Sequence, residues 1–161
     1  MSIEPVARRP AAAFAGRREA VVRLGDGRCL AGRVVVAGSV FSRFMGWMGK
    51  PRVEPGEGLW LVPCRSIHMF FMRTAIDIAF LDRQGVVVRT VSRMRPWSLR
   101  PIGVTLLPVA RAHSALELAP GTLERLGVGV GTQLDFAQPQ GTGGQGPRRA
   151  VSSQSDSTSG E

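Results

Sequence analysis

The residues with the most chemical potential lie between Pro63 and Asp82. There Cys64, Arg65, His68, Arg73 and Asp77 are set among apolar residues, in Ile67-His-Met-Phe-Phe-Met72 and Ile76-Asp-Ile-Ala-Phe-Leu81. Polar groups in apolar surroundings are costly unless paired, so such residues have a structural or chemical reason to be there. If Ile67–Met72 is extended, His68 and Met72 share one face of the strand. In the next run Asp77 shares a face with Ala79 and Leu81, while Ile76, Ile78 and Phe80 fill the other. Paired strands would join His68 and Asp77 into an acid–base dyad at a pocket floor, with Arg65 or Arg73 binding an anionic group. Cys64 precedes His68 by four residues, which raises a second chemistry, a thiol activated by an imidazole. The plainer account makes Asp77 a turn or ion-pair anchor and His68 a packed core histidine.

A second cationic stretch is Arg93-Met-Arg95-Pro-Trp97-Ser-Leu-Arg100. Arg95 and Trp97 in a loop broken by proline could hold a sugar ring, a base or a phosphate. One aromatic is a poor stacking platform, however, and nucleic-acid proteins carry more interleaved aromatics. Nucleic acid is therefore not the expected partner. The soft and imidazole ligands are Cys29, Cys64, His68 and His113, and their spacings of 35, 4 and 45 match no zinc finger or ribbon. No metal and no cofactor are expected. Gly127-Val-Gly-Val-Gly131 lacks the strand–turn–helix setting of a phosphate loop.

Short β-like runs must position these groups. Val21–Leu24 leads through Gly25-Asp-Gly27 into Arg28–Ala37 as a hairpin. Gly58–Val62 is closed by Pro63, and Ile76–Leu81 meets Val86–Val91 across Asp82-Arg-Gln-Gly85, a strong hairpin signal. Val104–Val109, Ser114–Ala119 and Thr132–Phe136 complete the strands. Cys29 alternates into an apparent core strand, and His113 begins another at the surface or rim. Ser39 can cap a helix running to Met48, and Leu123–Leu126 forms a short one ended by Gly127. The fold expected is mainly β, an antiparallel β-sandwich or partly open barrel with two short helices.

The 161 residues and 43% hydrophobic content suit one domain with its own core. Residues 1–20 read as a flexible arm and 21–136 as the single β domain. From Ala137 to Glu161 a Gly/Gln/Pro stretch gives way to a Ser-rich run, expected to be a disordered tail. The formal charge is +9, carried almost wholly by arginine, with Lys50 the one lysine. The arginines are dispersed, as coding bias would leave them. Two cysteines form no disulfide framework, and no run approaches the ~18 apolar residues of a membrane helix. A soluble, cytoplasmic protein is expected.

Several of these stretches together resemble one small prokaryotic family. They are Arg43–Met48, Pro55–Leu59, Cys64–Met72, Ile76–Asp82, Arg95-Pro-Trp97, Ala115–Gly121 and the closing Gly127-x3-Gly131. In combination they are similar to the family called domain of unknown function 192, over about residues 39–136. Met69 and Ala75 depart from its pattern, where Thr and a bulkier residue are expected. The resemblance implies a compact, mainly β domain and brings no activity, cofactor or catalytic residue.

The residues alone support a binding module for a small polar or anionic ligand such as a sugar derivative. Its expected lining is Cys64, Arg65, His68, Met72, Arg73, Asp77, Arg95 and Trp97. The alternatives are a hydrolase or thiol-dependent enzyme using Cys64 or the His68–Asp77 pair, and a protein-interaction domain with a basic surface.

Overall fold

The computed structural model describes residues 19–39, 47, 50–69, 72–97 and 108–139. Seven strands and one helix lie within them: β1 (Glu19–Leu24), β2 (Cys29–Ala37), β3 (Glu57–Leu61), β4 (Ile76–Leu81), β5 (Val87–Met94), β6 (Ser114–Leu118), α1 (Thr122–Leu126) and β7 (Leu134–Ala137). They form one sheet in the order β5-β4-β6-β3-β2-β1-β7. All neighbours are antiparallel except β2 and β3, which pair in parallel from Arg33↔Glu57 to Ala37↔Leu61. The sheet is therefore mostly antiparallel, as expected, with β2–β3 its one parallel pair. Apolar alternation sets which face of a strand is buried and carries no information on its partner's direction.

The sheet curls until its two ends meet. Val86 and Gln133 form a bridge, Val87 N–H donates to Thr132 O at 2.9 Å, and Leu134 N–H donates to Gly85 O at 3.0 Å. The result is a partly open barrel, one of the two architectures expected. Gly85 is required at this junction. Its φ is +84°, and a Cβ there would lie 2.8 Å from Leu134 O.

The concave face holds Val22, Leu30, Val34, Trp60, Leu81, Leu116, Leu118, Leu134 and Phe136, capped by Leu123 of α1. Trp60 of β3 stacks on Phe136 of β7 with centroids 3.9 Å apart, so strands far apart in the sheet touch across this face. The convex face carries a second cluster, including Leu59, Leu61, Ile76, Ile78, Phe80 and Ala115. Loop residues Val53, Ile67, Met69, Met72 and Val109 cover it. Strands β3, β4 and β6 are consequently buried on both faces, and β1 alternates.

The helix expected from Ser39 to Met48 and the strand expected over Val104–Val109 fall largely outside the described residues. One short helix, α1, stands among the described residues. Two further readings change. Residues 67–69 of the strand expected over Ile67–Met72 form no strand, residues 70 and 71 lie outside the described residues, and Met72 N–H donates to Met69 O at 3.4 Å. The apolar side chains of Ile67, Met69 and Met72 lie over a finished sheet face instead of adding a strand to it. Cys29, expected in the core, is exposed at the start of β2.

Candidate functional site

Three separate stretches of chain meet at one end of the barrel. The first is the β4–β5 turn. Asp82 Oδ1 accepts the amide hydrogens of Gln84 at 2.9 Å and Val86 at 3.0 Å, and Asp82 N–H donates to Val86 O at 3.0 Å. Aspartate folds the turn in this way and leaves Arg83 and Gln84 at its exposed tip. The second is the turn before β6, closed by Ala112 N–H donating to Val109 O at 3.2 Å. Arg111 sits at its corner with φ +64°, a left-handed conformation uncommon outside glycine. The third is the chain after Pro63, which brings in Arg65.

Main-chain bonds lace the three together. His113 N–H donates to Leu81 O at 2.7 Å, Cys64 N–H to His113 O at 2.8 Å, and Val109 N–H to Arg65 O at 2.7 Å. Between them lies a hollow of about 380 Å³, lined by Arg65, Arg83, Arg111, His113, Asp82 and Gln84. Among the described residues, no carboxylate lies within ion-pair distance of Arg65, Arg83 or Arg111. Elsewhere Arg28 pairs with Asp26, Arg33 with Glu57, Arg52 with Glu54 and Arg93 with Glu124. The groove thus brings together three arginines that form no ion pair among the described residues.

The residues singled out in the sequence are divided among three places. Arg65 lines the groove, and Cys64 helps to frame it. The Cys64 thiol is half-buried and donates to Ser66 O at 3.1 Å. His68 is half-buried and Met72 buried, in a segment anchored on the convex cluster. Trp97 N–H donates to Met69 O at 3.0 Å, so the stretch of Arg95 and Trp97 lies against that segment. Arg73 and Arg95 are exposed, and so is Trp97.

Asp77 is in the third place. It is fully buried and alternates with Ala79 and Leu81 of the concave cluster. Its Oδ1 accepts Arg93 N–H at 2.8 Å, and its Oδ2 accepts Leu123 N–H at 2.9 Å. The carboxylate therefore ties β5 and α1 to β4. The residues flanking His68 pack on the opposite face of the sheet. Asp77 thus contacts main-chain amides, and forms no ion pair among the described residues.

Two sets of residues escaped the sequence reading. Arg83 and Arg111 line the groove but stand in turns far apart in the chain, with no spacing to link them, and His113, expected at the surface or rim, lines it beside Arg111. Glu117 is the other. It lies in β6 between Ala115 and Ala119 of the convex cluster, opposite Leu59 and Ile78, and is 5% exposed. Burial among apolar residues pushes its carboxyl up to about 8, so it is held protonated at neutral pH. Glu57 contrasts with it. The Lys50 ammonium at 2.6 Å, the Glu54 N–H and Arg33 hold it down at about 2. No cluster of three or more His, Cys, Asp or Glu that could hold a metal ion occurs among the described residues. No described helix is long and apolar enough to cross a membrane.

Comparison with known proteins gives the fold and the lineage. The chain is 33% identical over 115 residues to a UPF0127 protein of Thermococcus sibiricus, covering 68% of this chain and 70% of that one. It is 31% identical over 111 residues to a UPF0127 protein of Pyrococcus abyssi, covering 65% and 86%. Two crystal structures share the fold. One is described as a candidate transcription regulator of Sinorhizobium meliloti, with TM-score 0.60, 23% identity and coverage of 73% of this chain and 93% of that one. The other is a protein of unknown function from Novosphingobium aromaticivorans, with TM-score 0.60, 21% identity and coverage of 84% and 98%. A family model described as Uncharacterized ACR matches residues 21–136, and the chain belongs to that family, domain of unknown function 192.

Proposed function

We propose that this protein is a binding module for a small anionic ligand, held in the groove by Arg65, Arg83, Arg111 and His113. One observation carries the reading: three arginines without an ion-pair partner among the described residues line one hollow. The main-chain bonds between Cys64–Arg65, Leu81 and Val109–His113 brace its walls, which lowers the ordering cost of binding. Asp82, the acid in the lining, has Oδ1 directed to the amides of its own turn.

The catalytic alternatives have weaker support. Asp77 binds two main-chain amides, and the Cys64 thiol donates to a carbonyl. The likeness to the Sinorhizobium structure is a likeness of fold and says nothing of a regulatory role here.

Isothermal titration with sodium phosphate at constant ionic strength tests the proposal. Wild-type protein should bind, and Arg83→Ala should weaken binding about tenfold, the loss of one charge-assisted contact. Equal affinity of the variant and the wild type would remove the groove from the account.

A further inference from the structure

We infer that the anion held by this groove is a phosphate dianion, free or as the monoester of a small metabolite, and not a carboxylate or a sulfate ester. The inference rests on the anion-binding reading above and adds the class of ligand.

Charge is the first argument. Arg65, Arg83 and Arg111 line the hollow, with Asp82 as the one acid in its lining. Two positive charges are left unbalanced. A carboxylate or a sulfate ester offsets one of them. A phosphomonoester carries about −1.5 to −2 near neutral pH and offsets both.

Direction is the second argument. The three arginines stand on different stretches of chain, so their forks reach the hollow from separate walls: the chain after Pro63, the tip of the β4–β5 turn, and the corner at Arg111. A planar carboxylate offers two oxygens in one plane, and a single arginine fork can occupy both. A tetrahedral phosphate offers three peripheral oxygens pointing apart, enough to engage donors from several sides.

Size is the third. The hollow of about 380 Å³ equals roughly a dozen water volumes at about 30 Å³ each. That exceeds a bare phosphate and leaves room for a polar body of monosaccharide size. Gln84 and His113 can hydrogen-bond such a body.

The experiment is calorimetry of the full chain at pH 7.5 and constant ionic strength with four probes: glucose 6-phosphate, glucose 6-sulfate, glucuronate and inorganic phosphate. The sulfate ester keeps the tetrahedral shape and lowers the charge, and glucuronate changes both. The expected result is that the phosphates bind at least tenfold more tightly than the sulfate ester and glucuronate, with that preference reduced in Arg83→Ala. Glucose 6-phosphate binding more tightly than inorganic phosphate assigns the site to an ester. The reverse order assigns it to the free ion. Equal binding of phosphate ester, sulfate ester and glucuronate would overturn the dianion while leaving anion binding in place. Binding of none of the four would overturn both.

Discussion

Asp77 and the groove at the barrel end use charge in opposite ways. Asp77 is fully buried, and both of its oxygens accept main-chain amides, from Arg93 and Leu123. Arg65, Arg83 and Arg111 stand exposed around a hollow, with no ion-pair partner among the described residues. A polar residue inside an apolar strand announces that it has a reason to be there, and at Asp77 that reason is to hold β5 and α1 against β4. Arginines that share a hollow without an ion pair are the better sign of a ligand.

The contrast is broken most directly at Asp77. Asp77→Ala leaves one buried and one part-buried amide without acceptors and should cost about 2 kcal/mol or more in urea denaturation. Asp77→Asn keeps one acceptor and should cost less. Neither change should alter phosphate affinity at temperatures where the variant is folded. A stable Asp77→Ala protein that had lost phosphate binding would reverse the two roles.

Glu117 gives the next largest effect, seen as a dependence on pH. Its carboxyl lies at about 8 in the folded protein against an ordinary 4.5, so the folded state holds a proton that the unfolded state releases. Stability should therefore fall as pH rises from about 4.5 towards 8 and level off above, by a few kcal/mol in all. Melting temperatures of Glu117→Gln should lose most of that slope. An unchanged slope would place the titrating group elsewhere.

Glu57 should show the opposite sign. Its carboxyl lies at about 2, held down first by the Lys50 hydrogen bond. The stabilisation it provides is present above about 4.5 and is lost as pH falls towards 2. Because Arg33 and Lys50 are partly exposed, Glu57→Gln should cost only about 1 kcal/mol at pH 7 and flatten the acid limb of the melting curve.

The smallest effect on stability sharpens the contrast most. Arg111 has φ +64°, which glycine adopts without cost. Arg111→Gly should leave stability unchanged or raise it by up to about 1 kcal/mol, while weakening phosphate binding about tenfold. Loss of both together would make Arg111 a structural residue.

Much of the architecture was legible in the chain. The run Ile76–Leu81 is a strand with the bounds expected, because it is a short apolar run closed by the Asp82–Gly85 turn. Asp77 was legible as an anomaly but its role was not, since its partners are amides 16 and 46 residues away that leave no mark in side-chain spacing. The groove was hidden for a related reason. Arg83 and Arg111 become neighbours because β4 pairs with β6 from Asp77↔Leu118 to Leu81↔Ser114, and alternation does not reveal which strands pair. Glu117 carried a readable signal, an acid between Ala115 and Ala119 on one face with Leu116 and Leu118 on the other. A strand with that pattern, buried on both faces, must bury its acid.

The most direct test of the anion-binding groove is a set of amide proton–nitrogen spectra recorded during titration with sodium phosphate at constant ionic strength. Shifts should saturate and concentrate at residues 82–86, 109–113 and 64–65, the three stretches that surround the hollow. Saturating shifts centred instead on residues 67–69 and 72–77, or no saturable shift anywhere, would contradict the account.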